Sequence, residues 1–165
     1  MDAKELFNQS SLECGKLITQ RYSTSFTLGI QTLDKKFHAP IYAIYGFVRF
    51  ADEIVDTFHE HDKAGLLAEF RQETYKAIKT GLSLNPVLHG FQLIVNKYEI
   101  DVDLIEAFFK SMAMDLDFRT YNDSKYLEYI YGSAEVVGLM CLKVFVEGDS
   151  EMYDRLKGPA KKLGS

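Results

Sequence analysis

The segment Tyr42-Ala43-Ile44-Tyr45-Gly46-Phe47-Val48-Arg49-Phe50-Ala51-Asp52-Glu53-Ile54-Val55-Asp56 decides the fold. Its apolar residues recur at helical spacing, and Pro40 lies where a first helical turn tolerates a residue without an N–H. The segment therefore predicts a largely buried helix. Since successive residues turn by about 100°, the same helix carries a second, polar stripe. That stripe consists of Tyr45, Arg49, Asp52 and Asp56.

The two aspartates of this stripe are candidates for a metal site. Asp52 and Asp56 are four residues apart, so both carboxylates point to one side of the helix. Such a pair suits a hard cation such as Mg²⁺, which keeps several waters and bridges to a substrate phosphate. The alternative is that Arg49 and Asp52 form a solvated ion pair on an outer helix face. Because the rest of the helix is apolar enough to be buried, we expect the carboxylates to face an internal cleft.

Composition excludes several classes of protein. The 165 residues suit one domain, and 47% hydrophobic residues provide ample core. The net charge of −5 and the scattered Lys and Arg argue against a nucleic-acid surface or a polybasic membrane anchor. Cys14 and Cys141 lie far apart in apolar contexts, which predicts buried thiols in a reducing cytoplasm. The longest apolar run, residues 39–48, is about half of the ~20 residues that a membrane span needs.

The other segments also have helical periodicity, which predicts an all-α chain. Helix starts are predicted at Asp2, Asp62, Asn85-Pro86 and Asp101, and further helices over residues 124–146, 151–157 and from Pro159. Residues 124–146 are apolar on nearly every side, so we expect this long helix to be central to the fold. Glu135 within it is either an edge residue or a buried group paired with a cation.

Two further places hold candidate polar groups. The hydroxyl-rich run at residues 22–26 either caps a helix or places donors near an anion. Asp115 follows the apolar stripe that contains Phe108 and Met112, so it points inward, whereas Asp117 faces the other way. An inward carboxylate needs a cation or hydrogen-bond donors, and tyrosine or backbone donors are the alternative to a functional site.

Four motifs together resemble the N-terminal part of the squalene/phytoene synthase family. They are Y-S-T-S-F at residues 22–26, the helix at 42–56, M-A-M-D-L at 112–116 and Y-I-Y-G-S-A-E-V-V-G-L-M at 129–140. The resemblance covers roughly residues 20–165. The M-x-M-D-L and V-G-L-M forms are more similar to the phytoene synthase branch than to the squalene branch.

The resemblance implies an all-α isoprenoid synthase fold whose helices surround a deep cavity for two prenyl diphosphates. It implies Mg²⁺, or Mn²⁺, at Asp52 and Asp56, and catalytic roles for these residues together with Asp115 and Tyr129. Substrate contacts are implied for Ser23, Ser25, Phe26, Tyr45, Arg49, Ser133 and Val137. In such enzymes two molecules join head to head through a cyclopropyl diphosphate. The phytoene-type reaction needs no nicotinamide cofactor, and its apolar product suggests peripheral membrane contact.

The sequence departs from the family pattern at two places. Glu135 and Val136 stand where Gly and Thr are usual, and no second aspartate-rich motif follows the helix that begins at Pro159. We therefore expect a truncated single domain over residues 1–165, inactive alone and self-associating through uncovered apolar faces. The alternatives are a non-catalytic helical module that binds a prenyl chain or a partner, and a squalene-type synthase that uses farnesyl diphosphate. A di-iron bundle is disfavoured because the E-x-x-H signature is missing.

Overall fold

The computed structural model describes residues 1–116 and 123–164, and within these ranges it is helical without strands. The helices are α1 Ala3–Tyr22, α2 Thr24–Gln31, α3 His38–Asp56, α4 Lys63–Thr80, α5 Pro86–Tyr98, α6 Val102–Asp115, α7 Asp123–Ile130, α8 Val136–Phe145 and α9 Ser150–Gly164. A 3₁₀ turn at Lys35–Phe37 precedes α3, and a π-helical turn at Tyr131–Glu135 joins α7 to α8. The all-α prediction is confirmed. Among the described helices, none is both long and apolar enough to cross a bilayer.

Helix starts follow the predicted N-cap residues in three cases. Asp2 forms a capping box with Glu5, in which each side chain accepts a hydrogen bond from the other residue's N–H. Asp62 Oδ1 accepts from the Gly65 N–H at 3.0 Å. Asn85 caps the start of α5 in the same way. Local sequence therefore sets where α1, α4 and α5 begin.

Asp101 differs from this prediction. It holds the N-cap position of α6, but its side chain makes no capping hydrogen bond. Its carboxylate instead lies 3.7 Å from the Lys143 ammonium, which also lies over the ring of Tyr153. Attraction to a cation from a distant part of the chain thus replaces the local cap.

The chain forms two compact units. The first consists of Met1–Phe50 and Gln72–Lys97, and the second of Ala51–Arg71 and Tyr98–Ser165. Helix α3 passes from the first into the second between residues 50 and 51, so the predicted polar stripe is shared by both. The single domain expected over residues 1–165 stays a prediction.

The core of the first unit joins α1, α3 and α5. Phe47 and Phe91 stack with ring centroids 3.8 Å apart, and neither is exposed to solvent. Helices α1 and α3 cross at Gly15 and Gly46, where a Cβ on Gly15 would lie 2.9 Å from the Tyr42 carbonyl oxygen. Only glycine permits this close approach of the two backbones. The contacts fix the rotation of α3 and hence the direction of its side chains.

The core of the second unit forms around α6. The predicted inward stripe of this helix is confirmed, since Ile105, Phe108 and Met112 are all buried. Phe70 of α4 packs edge-on against Phe109 with centroids 6.2 Å apart. Asp115 continues the stripe and is half-buried. Asp117, predicted to face away, lies outside the described residues.

The long helix predicted over residues 124–146 is wrong in two respects. It is interrupted by the π-helical turn, and α7 contains no buried residue, with Leu127 67% exposed. Only α8 has the expected buried character, through Val136, Leu139 and Met140 among others. The interruption lies where Gly132 packs closely against α6, a tertiary contact that apolar periodicity does not encode.

The break predicted between residues 157 and 159 is also wrong. One helix, α9, contains Pro159 in its interior. Leu156 and Pro159 line a cavity of about 410 Å³ together with Cys141 and Phe145 of α8, so both halves of α9 pack on the same neighbour. This packing offsets the hydrogen bond that proline removes from a helix interior.

Candidate functional site

The predicted metal pair lies at the C-terminal end of α3. Asp52 is half-buried, and Asp56 is exposed and is the last residue of the helix. Helical geometry separates them by about 6 Å along the axis and about 40° around it. The C-terminal end of a helix carries partial negative charge, which adds to the attraction of this end for a cation. Two carboxylates and the helix end therefore form an acidic site on one short piece of chain.

Two hydrogen bonds lie beside this pair, one to the backbone and one between side chains. The Lys63 ammonium donates to the carbonyl oxygen of Val55, one of the carbonyls that the helix end leaves without a partner. The Thr57 hydroxyl donates to Glu53 Oε2 at 2.6 Å. These contacts hold the end of α3 in place around Asp56.

The donor set fits Mg²⁺ in its chemistry. Mg²⁺ prefers oxygen ligands, and it commonly takes one or two protein carboxylates with waters and substrate phosphates as its other ligands. Asp52 and Asp56 supply such a pair. Within residues 1–116 and 123–164 there is no group of three or more His, Cys, Asp or Glu residues arranged to hold a metal ion.

Asp115 and Tyr129 meet within the second unit. The Tyr129 hydroxyl donates to Asp115 Oδ2 at 3.2 Å. Burial raises the pKa of Asp115, the hydrogen bond from Tyr129 lowers it, and the negative charge of Asp56 raises it. Asp115 is therefore hydrogen-bonded to Tyr129 and also feels the charge of Asp56. The inward direction predicted for Asp115 agrees with its partial burial. Its hydrogen-bond donor is a tyrosine, as in the alternative to a functional site that the sequence left open.

Ser133 and Val137 lie just after this cluster in the chain. The Ser133 hydroxyl donates to the carbonyl oxygen of Tyr129 at 2.7 Å, so its proton is committed to the backbone. Val137 is half-buried in the first turn of α8. Glu135, which departs from the family pattern, is half-buried in the π-helical turn.

The first unit contains the hydroxyl-rich motif. Ser23 is the N-cap of α2, and its Oγ accepts from the Phe26 N–H at 3.1 Å, so the capping interpretation is confirmed for this residue. Ser25 is exposed in the first turn. The Phe26 and Tyr45 rings stack at 4.9 Å, which brings together an apolar residue of α2 and a stripe residue of α3.

Arg49 has a contact that the sequence did not predict. Its guanidinium lies over the Tyr22 ring, 4.8 Å from the centroid, and the side chain is half-buried. A cation held on an aromatic face loses less freedom when it binds an anion, since its position is already restricted. The aromatic residue before the S-T-S-F run was visible in the sequence, but its pairing with Arg49 depends on how α1 meets α3.

The predicted site residues thus fall into two sets. Ser23, Ser25, Phe26, Tyr45 and Arg49 belong to the first unit, and Asp52, Asp56, Asp115, Tyr129, Ser133 and Val137 to the second. The contacts above join Phe26 to Tyr45 in one set, and Asp115 to Tyr129 in the other. That all these residues line one cavity stays a prediction.

Comparison with known proteins decides the family. The model of the squalene/phytoene synthase family matches residues 19–165. The chain belongs to the squalene/phytoene synthase family. The match includes every site residue named above, from Ser23 to Val137.

Relatives of known name agree with this membership. A phytoene synthase of Arthrospira platensis is 27% identical over 143 residues, covering 86% of this chain and 46% of its own length. A chloroplastic phytoene synthase of Zea mays is 26% identical over 133 residues, covering 79% of this chain and 32% of its own length. Both are consistent with the phytoene branch.

Solved structures agree with the fold. A dehydrosqualene synthase crystallised with a ligand superposes with a TM-score of 0.80 at 26% identity, over 95% of this chain and 53% of that one. A squalene synthase from Alicyclobacillus acidocaldarius has the same TM-score at 18% identity, over 93% of this chain and 58% of that one, and shows the fold alone. The chain therefore has the isoprenoid synthase helical fold and spans about half of these proteins, and half or less of the curated relatives.

Proposed function

We propose that the chain carries the first metal-binding half of a synthase that condenses two prenyl diphosphates head to head. The favoured substrate is geranylgeranyl diphosphate, and the favoured product is phytoene, formed through a cyclopropyl diphosphate. The observation that carries the proposal is the hydrogen bond from Tyr129 of α7 to Asp115 of α6, a carboxyl whose pKa is also raised by the charge of Asp56 at the end of α3. Family membership supports the reaction class, and the chain's partial coverage of its relatives makes the complete reaction a proposal.

Asp52 and Asp56 would hold Mg²⁺. The bound ion would supply neutralisation of diphosphate charge as the allylic C–O bond breaks. The two carboxylates are suited to this task because they lie one helical turn apart on α3. Their removal one at a time is therefore the most direct perturbation of the site.

Arg49 would bind the diphosphate directly. A guanidinium presents several donors in a planar fork that matches phosphate oxygens, and the Tyr22 ring holds it in place. Ser25, exposed at the start of α2, would add a hydroxyl donor, while Ser23 orients that helix start through its cap. These residues would orient the leaving group.

Asp115 and Tyr129 would handle the proton. Joining the two chains and closing the cyclopropane ring releases one proton from carbon, and a base must accept it. The raised pKa of Asp115 makes its carboxylate a stronger base than an ordinary aspartate, and the Tyr129 hydroxyl fixes its orientation. The stacked Phe26 and Tyr45 rings and Val137 would contact the apolar prenyl chains.

Two further proposals concern association. The exposed Tyr126 and Leu127 of α7 provide apolar surface through which copies of the chain would self-associate. An apolar hydrocarbon product favours transient contact with a membrane surface at release. We propose no nucleic-acid partner for the chain, and the phytoene-type reaction needs no nicotinamide cofactor.

The test is Mg²⁺-dependent substrate binding by the purified chain, which we expect to bind without turnover. The affinity for geranylgeranyl diphosphate is measured with and without Mg²⁺, and released diphosphate is recorded, in wild type, Asp52→Asn, Asp56→Asn and Asp103→Asn. The last is a charge-matched control, since Asp103 is exposed in the first turn of α6. Binding that needs Mg²⁺ and is kept at full affinity only in wild type and the control supports the proposal.

Two results would count against it. Equal affinity in wild type and both Asn variants would contradict a metal role for Asp52 and Asp56. Binding that is equally tight without Mg²⁺ would favour the non-catalytic prenyl-binding module for this chain.

A further inference from the structure

The Tyr129–Asp115 hydrogen bond lies beside an unusually close helix contact. Gly132 is buried, and a Cβ built on it would lie 2.4 Å from the Ala107 carbonyl oxygen and 2.7 Å from Ser111 Cβ. Real Cβ atoms essentially never come within 3.0 Å of such atoms. One of the two close atoms is backbone and cannot rotate away. The backbone of the π-helical turn therefore touches α6 as closely as a glycine allows.

The close contact at Gly132 and the Tyr129–Asp115 hydrogen bond both join one side of α6 to the segment that contains Tyr129 and Gly132. On α6, Ala107, Ser111 and Asp115 follow at intervals of four residues, which places them along one side of the helix. On the facing segment, Tyr129 and Gly132 are three residues apart. Tyr129 meets the later end of α6 and Gly132 the earlier part, so the two segments run antiparallel. The distance between the backbones at Gly132 thus sets the reach required of the Tyr129 side chain.

The π-helical turn adds to this arrangement. It begins at Tyr131, directly after α7, and the Ser133 hydroxyl donates back to the Tyr129 carbonyl oxygen. Mid-helix π turns are rare and often occur at functional sites. Lys161 of α9 lies over the Tyr131 ring, 5.2 Å from its centroid, and covers the turn. The turn is therefore packed on more than one side.

We infer that Gly132, through its contact with Ala107 and Ser111, is a positioning residue that holds the Tyr129 hydroxyl on Asp115. This inference rests on the proposed function, in which that pair handles the proton. Gly132 has no side chain that could take part in the proton transfer. It acts by setting the separation of two segments.

The first experiment needs no substrate. The chain is labelled with 3-fluorotyrosine, and the Tyr129 resonance in the ¹⁹F NMR spectrum is assigned by its loss in Tyr129→Phe. In Gly132→Ala the resonance should shift toward its position in Asp115→Ala, where the acceptor is absent. Gly158→Ala is the matched control, since Gly158 lies in α9 with no atom within 4 Å of the added Cβ. A folded Gly132→Ala protein with an unmoved Tyr129 resonance would overturn the inference.

A milder variant covers the case in which Gly132→Ala does not fold. Ser111→Thr keeps the hydroxyl and adds one methyl group on the α6 side of the contact. It should shift the Tyr129 resonance in the same direction by a smaller amount. A Tyr129 resonance identical to wild type in Ser111→Thr would contradict the inference.

A double-mutant cycle separates positioning from general damage. If the chain binds or turns over a prenyl diphosphate, Gly132→Ala should lower that activity roughly tenfold in wild type, the scale of one lost hydrogen bond. In the Tyr129→Phe background the same substitution should cause less than about a twofold further loss. Equal losses in both backgrounds would mean that Gly132 acts elsewhere. The NMR result does not depend on turnover, so failure of the proposed function and failure of this inference are distinguishable.

Discussion

Lowering the pH should destabilise the first unit through one buried histidine. His89 is 2% exposed, and its ring packs edge-on against Phe7 at 4.5 Å. Its Nδ1 accepts the Ser83 N–H at 3.1 Å, and its Nε2 lies 2.7 Å from Asn8 Oδ1. An amide oxygen can only accept, so Nε2 carries the proton and the ring is neutral. The Gln92 amide nitrogen lies 3.5 Å from Nδ1. None of these named neighbours of His89 ionises near neutral pH.

Protonation breaks this arrangement. A proton on Nδ1 would face the Ser83 N–H, which leaves two buried donors without acceptors at a cost of about 1–3 kcal/mol. Burial accordingly lowers the pKa of His89 from its ordinary 6.5. Because the neutral form is favoured in the folded state, the stabilisation is present above about pH 6.5 and is lost as the pH falls through the folded-state pKa. Below pH 6.5 the loss grows by at most about 1.4 kcal/mol per pH unit, so at pH 5.5 it reaches at most about 1.4 kcal/mol, or a fall in Tm of roughly 3–6 °C for a chain of this length.

The assay is thermal unfolding followed by circular dichroism at pH 7.5 and 5.5. Wild type and His61→Gln, which replaces an exposed histidine, should lose Tm by similar amounts between the two pH values. His89→Gln should be less stable at pH 7.5 but should lose less Tm on acidification. Titration of the other groups contributes equally to the Tm change of wild type and of each variant, so it cancels when those changes are compared. An equal fall in Tm for His89→Gln and wild type would refute the reasoning.

Two other substitutions test the site and the core. Tyr129→Phe removes the hydrogen bond that lowers the pKa of Asp115, so NMR titration of that carboxyl carbon should give a higher pKa than in wild type; a lower value would rule out the pairing. Since a raised carboxyl pKa favours the folded state at low pH, the variant should also gain stability relative to wild type as the pH falls through that pKa. Phe91→Ala removes the ring stacked on Phe47 and should cost about 3–5 kcal/mol by urea unfolding, whereas Phe58→Ala, 41% exposed, should cost under about 1 kcal/mol. Similar costs for the two would contradict the assigned core.

Local patterns predicted much of this fold. The caps at Asp2, Asp62 and Asn85 depend on hydrogen bonds within three residues, so the sequence is enough to place them. The inward stripe of α6, including Asp115, follows from helical periodicity alone. Family resemblance, carried by four ordered motifs, extended these local predictions to the correct fold.

Contacts between distant segments set the features that were missed. Asp101 turns from its own helix because Lys143 attracts it, and Arg49 lies on Tyr22 because α1 and α3 meet there. The π-helical turn depends on the contact of Gly132 with α6. In each case the contacting residue is more than 20 residues away in the sequence, and helical periodicity does not predict contacts over such a separation.

Binding of a prenyl diphosphate analogue tests the central claim most directly. Geranylgeranyl thiodiphosphate, which resists ionisation, is titrated calorimetrically into wild type, Asp56→Asn and Asp103→Asn, with Mg²⁺ and again with EDTA. We predict binding that requires Mg²⁺, is weakened more than about tenfold in Asp56→Asn and is unchanged in the exposed-acid control. Equally tight binding in EDTA, or in Asp56→Asn, would contradict a metal-bridged diphosphate site at the end of α3.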